Sequence, residues 1–178
     1  MDWCDNIGFG LWECIIYHKN GRGGAAFANR FRIDHEYILI FAKGSKPKYF
    51  NKSANQIPCK LKGRVHTSRT YRRKDGNIKQ ANGIINDTKC IGTVWYLPSG
   101  KQDKLKHQHP GTFHDAIPYN MIRAFTEPGD LVLDPMVGSG TTAIAALSLD
   151  RHFLGIDISK DYCELARQRV DEYARHNQ

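Results

Sequence analysis

Leu131-Val132-Leu133-Asp134-Pro135-Met136-Val137-Gly138-Ser139-Gly140-Thr141-Thr142 decides the reading of this chain. Three apolar residues form a short strand candidate, and an acidic residue stands at its end. A glycine-rich turn follows, then small residues that open a helix. This order marks the strand-to-helix crevice of an open α/β sheet, where such folds take ligands. Gly138 and Gly140 let the backbone turn tightly and come close to a bound molecule. Ser139, Thr141 and Thr142 set hydroxyls beside helix N–H groups that lack intrahelical partners, which suits a carboxylate or phosphate. Asp134 is placed to attract positive charge or accept hydrogen bonds.

Working outward, Phe153–Ile156 reads as the next strand and Asp157 follows it, 23 residues after Asp134. An acidic residue there can accept both hydroxyls of a ribose. Each carboxylate also has a structural reading: Asp134 as the cap of a turn, Asp157 as the cap of the last helix. The turn lacks the third glycine of a dinucleotide fingerprint, and no Gly-Lys-Ser/Thr follows, which excludes a P-loop. One ribose plus an amino-acid carboxylate fits better than a pyrophosphate, and S-adenosylmethionine has that shape.

The neighbouring stretches extend the pattern. Residues 113–126 predict a helix with Ala116, Ile117, Met121, Ile122 and Phe125 as its apolar stripe; Pro118 leaves its start open. Residues 142–149 predict a second helix. Ser159 is suited to cap a third, where Tyr162, Leu165, Ala166, Val170 and Tyr173 recur at helical spacing. Helix–strand–helix–strand–helix is most of one wall of a Rossmann-like sheet. Residues 9–17 and 36–41 read as two buried strands that could pair antiparallel, with a glycine loop at 20–24 between them.

At 178 residues the chain can bury one core with an appended lobe. Its net charge of +8 is unevenly placed. Residues 43–106 hold sixteen Lys and Arg against three Asp and Glu. Such concentration points to a polyanion such as DNA or RNA, with a solvated basic loop as the plainer alternative. Short strands are expected around Cys90 to Leu97, and Tyr71–Asn77 reads as a basic strand entering a type I′ or related turn at Asp75-Gly76. Five cysteines with no CxxC spacing give neither a zinc site nor a disulfide framework. No apolar run approaches transmembrane length, no signal peptide is visible, and a cytoplasmic prokaryotic or phage-type protein is expected.

With these residues in view, the chain resembles the permuted (beta-type) DNA amino-methyltransferases, which methylate adenine N6 or cytosine N4. Their cofactor motif, Asp-Pro-Phe-x-Gly-Ser-Gly-Thr-Thr, is similar to Asp134–Thr142, with Met136 in the Phe place. Their next motif, Arg-x-x-x-Gly-Ile-Glu-Ile-Ser-x-x-Tyr, is similar to Arg151–Tyr162, with Asp157 for Glu. Their His-Pro-x-x-Phe-Pro segment resembles His109–His114, with His114 in the last Pro place. Arg30-Phe31-Arg32-Ile33-Asp34-His35-Glu36-Tyr37-Ile38 and Lys43-Gly44 match a further family stretch near the DNA cleft.

The resemblance implies a partial Rossmann-like S-adenosylmethionine-dependent methyltransferase domain, α/β in class, with a small basic insert. Residues 1–50 would supply N-terminal strands of the sheet, 51–105 a target-recognition-like insert, and 106–178 the cofactor-binding segment. His109, Phe113, Asp134, Pro135, Gly138, Ser139, Gly140, Thr141, Thr142, Asp157 and Ile158 would hold S-adenosylmethionine. Arg30, Arg69, Arg72, Arg73 and Lys74 would contact double-stranded DNA. No metal is expected, and His107 and His109 have no evident metal-ligand partners.

The chain departs from the family where the chemistry should lie. The catalytic signature is Asp/Asn/Ser-Pro-Pro-aromatic, and no Pro-Pro pair occurs among these residues. The resemblance puts it upstream of the Phe9–Tyr17 strand, ahead of which this sequence has eight residues. No catalytic residue is therefore assigned. The expectation is a split methyltransferase completed by a second subunit. A missing N-terminal segment and a non-catalytic DNA-binding or scaffold subunit are the alternatives.

Overall fold

β-branched and aromatic residues dominate Cys14–Tyr17, and in the computed structural model they lie in the long strand β1 (Phe9–Asn20). The structure describes residues 4, 6–20, 29, 31–98 and 113–176. The glycine loop expected at 20–24 lies outside them beyond Asn20. The chain divides into two compact units: residues 1–51 with 92–178, and residues 52–91.

In the first unit β1 pairs antiparallel with β2 (His35–Lys43) and parallel with β7 (Val94–Pro98), giving the order β2-β1-β7. The antiparallel pairing is the one expected, with a register shift between Leu11 and Glu13. The sheet is two-faced. Tyr17 lies opposite Trp95, and both are buried with Ile15. The Trp95 indole N–H keeps a partner in that interior by donating to the Gly92 carbonyl at 2.8 Å. On the other face Tyr37, Leu39, Val94 and Tyr96 are exposed.

The same unit carries α1 (Ala116–Phe125), β8 (Leu131–Asp134), α2 (Thr141–Leu147), β9 (His152–Gly155) and α3 (Lys160–His176). The helix expected over 113–126 starts at Ala116 because Asp115 caps it, its carboxylate accepting from the Ala116 N–H at 3.0 Å. Pro118 falls in the first turn, where no intrahelical N–H is needed. β8 and β9 run parallel, Leu131 beside His152 and Asp134 beside Gly155. One face of this pair is packed: Val132 and Phe153 lie against Ile122 of α1 and Ala145 and Ala146 of α2. The other is bare, with Leu131 63%, Leu133 56%, Leu154 52% and Ile156 51% exposed. Parallel sheets are ordinarily covered on both faces.

Arg151 locks this layer together. It is 8% exposed. Its Nε donates to Thr126 Oγ1 at 3.0 Å, its Nη2 to the Thr126 carbonyl at 2.6 Å, and its Nη1 to the Leu149 carbonyl. The guanidinium thus occupies carbonyls that the ends of α1 and α2 would otherwise leave unsatisfied.

The second unit contains β3 (Gln56–Pro58) paired with β6 (Thr88–Cys90), and β4 (Val65–Arg72) paired with β5 (Ile78–Ile84). Of its apolar side chains only Ala54 is buried among the described residues. Ten Lys and Arg against two Asp give it a net +8, equal to that of the whole chain. The strands expected between Cys90 and Leu97 are two: β6 ends at Cys90 in this unit, whereas β7 pairs with β1 in the other.

The hairpin turn differs from the two-residue type I′ form. Arg73 N–H donates to the Asn77 carbonyl, Gly76 N–H donates to the Arg73 carbonyl, and Gly76 has φ +84°. Asp75 keeps a negative φ, because Asp150 is the only described non-glycine residue with a positive one. A type I turn closed by a left-handed glycine is the result. No helix among the described residues is long and apolar enough to cross a membrane.

Candidate functional site

Two loops meet at the ends of β8 and β9. Asp134 closes β8 and folds its own loop: its Oδ1 accepts the Met136 N–H at 3.0 Å, and its carbonyl accepts the Ile156 N–H at 2.9 Å. The Val137 N–H then donates to the Ile156 carbonyl at 2.9 Å. Asp157 ties the loops together. Its Oδ2 accepts the Gly138 N–H at 2.9 Å, and its Oδ1 accepts the Ser159 N–H at 2.9 Å. The structural reading of Asp134 as the cap of a turn holds; the last helix is capped by Ser159 instead, and Asp157 joins the two loops ahead of it.

Glycine is required here at two places. A Cβ on Gly155 would sit 2.8 Å from Val137 Cγ2, so the strand end passes directly under the turn. Gly140 has φ +81°, and a Cβ there would lie 3.1 Å from Ala166 Cβ on α3. The turn is thus pressed between β9 and α3. Ser139 within it is 4% exposed, its Oγ 3.5 Å from Thr141 Oγ1. Its carbonyl accepts from Arg169 Nη1 at 2.5 Å. Ser159 starts α3, with Oγ accepting the Tyr162 N–H at 3.4 Å.

The structure thus brings Asp134, Pro135, Gly138, Ser139, Gly140, Thr141, Thr142, Asp157 and Ile158 to one end of the β8–β9 pair. Gly138, Ser139 and Gly140 are buried, Thr141 and Thr142 partly so, and Pro135 and Ile158 are exposed. Phe113 is exposed, three residues before α1. His109 lies outside the described residues. Of the basic residues, Arg72 ends β4, and Arg73 and Lys74 enter the hairpin turn; all three are exposed. Arg69 sits on β4 opposite Ala81, and its side chain lies outside what is described. Arg30 is outside it altogether. Among the described residues no cluster of His, Cys, Asp and Glu could hold a metal ion.

A second polar group sits on β1 and β2. His18 Nε2 is 3.5 Å from Asp34 Oδ2, His35 Nδ1 is 3.3 Å from Asp34 Oδ1, and Lys19 pairs with Glu36. The contact with His35 holds the Asp34 carboxyl below its ordinary range. Burial pushes the Tyr17 hydroxyl up. Sequence reasoning passed over this group, and also over Arg169. The signal for Arg169 was available: it falls three residues after Ala166, so a charge interrupts the inward stripe of α3.

Against known proteins, a family model described as DNA methylase, covering N6- and N4-methyltransferases, matches residues 1–168. The chain belongs to the N6/N4 DNA methylase family. Within it, the orphan methyltransferase M.BamHII of Bacillus amyloliquefaciens is 36% identical over 175 residues, covering 94% of this chain and 64% of that protein. The type II methyltransferase M1.MboII of Moraxella bovis is 37% identical over 157 residues, covering 82% and 57%. Among solved structures, the M1.HpyAVI–SAM complex superposes with a TM-score of 0.64 at 27% identity, covering 96% of this chain and 67% of that one. The α/β architecture is therefore that of the S-adenosylmethionine-dependent methyltransferases. The chain spans less than two thirds of the length of either curated methylase.

Proposed function

We propose that this chain is the cofactor-holding part of a site-specific DNA amino-methyltransferase, a partial Rossmann-like domain with a basic insert. Methyl passes from S-adenosylmethionine to the exocyclic amine of adenine or cytosine. The observation that carries the reading is the Asp157 carboxylate joining the loops of two parallel strand tips. The M1.HpyAVI–SAM complex shares this chain's fold, which supports the choice of cofactor.

The residues fit that molecule. Gly140 and Gly155 let the turn pack directly on α3 and β9, which fixes it at the strand tips. Asp157 accepts the ribose hydroxyls, and the Gly138–Thr142 turn receives the methionine portion. Asp134 and Pro135 shape the floor. His109, Phe113 and Ile158 supply the wall around the adenine. S-adenosylmethionine brings an activated methyl on a good leaving group, so positioning and electrostatics are what the protein adds. The target base must leave the stack to reach it.

The groups that accept the amine's hydrogens belong to the Pro-Pro-aromatic signature, which this sequence does not contain. We place it on a segment outside these residues, either a second polypeptide or a preceding part of the same chain. The bare faces of the two sheets, Leu131, Leu133, Leu154 and Ile156 on one and Tyr37, Leu39, Val94 and Tyr96 on the other, are the support. Residues 1–51 and 92–178 make the methyltransferase part, because β7 lies within the expected insert yet pairs with β1. Residues 52–91 provide the DNA-recognition part, with Arg69, Arg72, Arg73 and Lys74 on β4 and its turn. The setting is the cytoplasm of a prokaryote, in restriction-modification.

Calorimetric titration with S-adenosylmethionine tests this reading: the chain binds it and Asp157→Ala binds it far more weakly. Labelled methyl transfer to DNA then requires the segment that carries the signature. DNA binding with no cofactor uptake would instead establish a scaffold subunit.

A further inference from the structure

Three peptide groups of the 137–140 turn each have a fixed partner. The Val137 N–H donates to the Ile156 carbonyl, and the Gly138 N–H donates to Asp157. In the Ser139–Gly140 peptide, the N–H donates to the Val137 carbonyl at 2.8 Å and the carbonyl accepts from Arg169. The first two partners come from the loop that follows β9. The Arg169 contact comes from α3, thirty residues away in sequence. Its neighbour Ala166, one helical turn earlier, touches the same turn where Gly140 lacks a side chain.

We infer that Arg169 is a positioning residue for the cofactor, fixing the Ser139–Gly140 peptide so that the turn keeps the shape that receives the methionine portion. This rests on the cofactor reading above. It goes beyond the family match, which ends at residue 168.

The Ser139–Gly140 peptide ends on a glycine, so alternative orientations lie open to it. Gly138 and Gly140 both have positive φ, 50° and 81°, and glycine reaches many other backbone conformations at little cost. A Ser139 carbonyl without a donor could flip by a concerted rotation of its flanking bonds. That rotation would turn the Gly140 N–H away from Val137 and redirect the whole turn. A charge-assisted bond to a mostly buried carbonyl opposes it more strongly than a neutral one. Arg169 never touches the cofactor in this account. It narrows the turn's ensemble to the receptive form, so less order has to be imposed when the ligand arrives.

The test compares the full chain with Arg169→Met and Arg169→Lys by calorimetric titration with S-adenosylmethionine, alongside thermal melting without ligand. Arg169→Met should bind roughly tenfold more weakly or worse. Arg169→Lys should recover part of the loss, because a lysine ammonium can still donate to the carbonyl. Losing the bond should lower the ligand-free melting temperature of Arg169→Met by a few degrees only, and the affinity loss should be present well below it, where the variant is fully folded, which a purely structural role would not predict. Unchanged affinity in Arg169→Met overturns the inference and leaves the cofactor reading standing. So does an affinity loss that tracks unfolding, or one that lysine does not relieve. A parent chain that takes up no S-adenosylmethionine overturns the reading and the inference together. If Arg169→Met does not fold, Arg169→Lys against the parent decides, with an intermediate affinity expected and parental affinity refuting.

Discussion

The Asp157 carboxylate and the Gly138 amide, 19 residues apart, meet at 2.9 Å and join the loops after β9 and β8. The same side chain accepts the Ser159 N–H. Asp157→Asn keeps the size but turns one acceptor into an NH₂ group that faces a backbone N–H. Hydrogen bonds to charged groups contribute about 1.5–3 kcal/mol each. Asp157→Asn should therefore lower stability by roughly 1–3 kcal/mol in denaturant unfolding even without ligand. Unchanged stability would leave the carboxylate no part in holding the loops.

The contact of Gly155 with Val137 makes a separable claim. Gly155→Ala places a methyl 2.8 Å from Val137 Cγ2. Overpacking of this kind costs about 1–3 kcal/mol. Val137→Ala removes the obstructing atoms, so the double variant should lose clearly less than the sum of the single losses. Additive losses in a double-mutant cycle would show that the two residues do not meet.

Electrostatics in the hairpin should be legible in salt titrations. Replacing Arg72, Arg73 and Lys74 together by Gln should weaken duplex DNA binding about equally across sequences. If all three touch phosphate, the slope of log affinity against log salt should fall by about 2.7, some 0.9 for each contact. Loss at one sequence alone would assign one of them to a base edge.

Asp34 should leave a mark on acid stability. Its carboxyl is held low mainly by the hydrogen bond with His35, with the charges of His18 and His35 assisting and burial opposing. A carboxyl depressed in the folded state contributes stability that is complete above its unfolded value of 3.8 and is lost as pH falls through the folded value. Asp34→Asn should therefore be less stable than the parent at pH 6, with the gap closing below about pH 4. A gap that widens in acid would reverse the assignment.

The βαβ core was readable because each element is short and sharply punctuated. Asp134 and Asp157 follow the two apolar runs, glycines break the chain between elements, and Ser159 begins the last helix. The observed bounds of β8, β9 and α2 stay within two residues of those expected. What sequence could not supply were contacts made across folded elements. Arg151 reads as one motif position, yet its guanidinium closes two helix ends. Arg169 interrupts the inward stripe of α3, but its partner, the Ser139 carbonyl, shows only once α3 lies against the turn. The hairpin turn was expected at Asp75-Gly76 but its type was open: that pair suits several turns, and the closing bond from Arg73 to Asn77 selects among them. The division of Cys90–Leu97 was hidden because β7 pairs with β1, far away in sequence.

Ultraviolet crosslinking of labelled S-adenosylmethionine to the full chain, followed by peptide mapping, probes the strand-tip site most directly. Label should appear in peptides carrying residues 134–142 and 157–162, and should be lost in Asp157→Ala. Label confined to residues 52–91, or equal labelling of Asp157→Ala, would contradict the account.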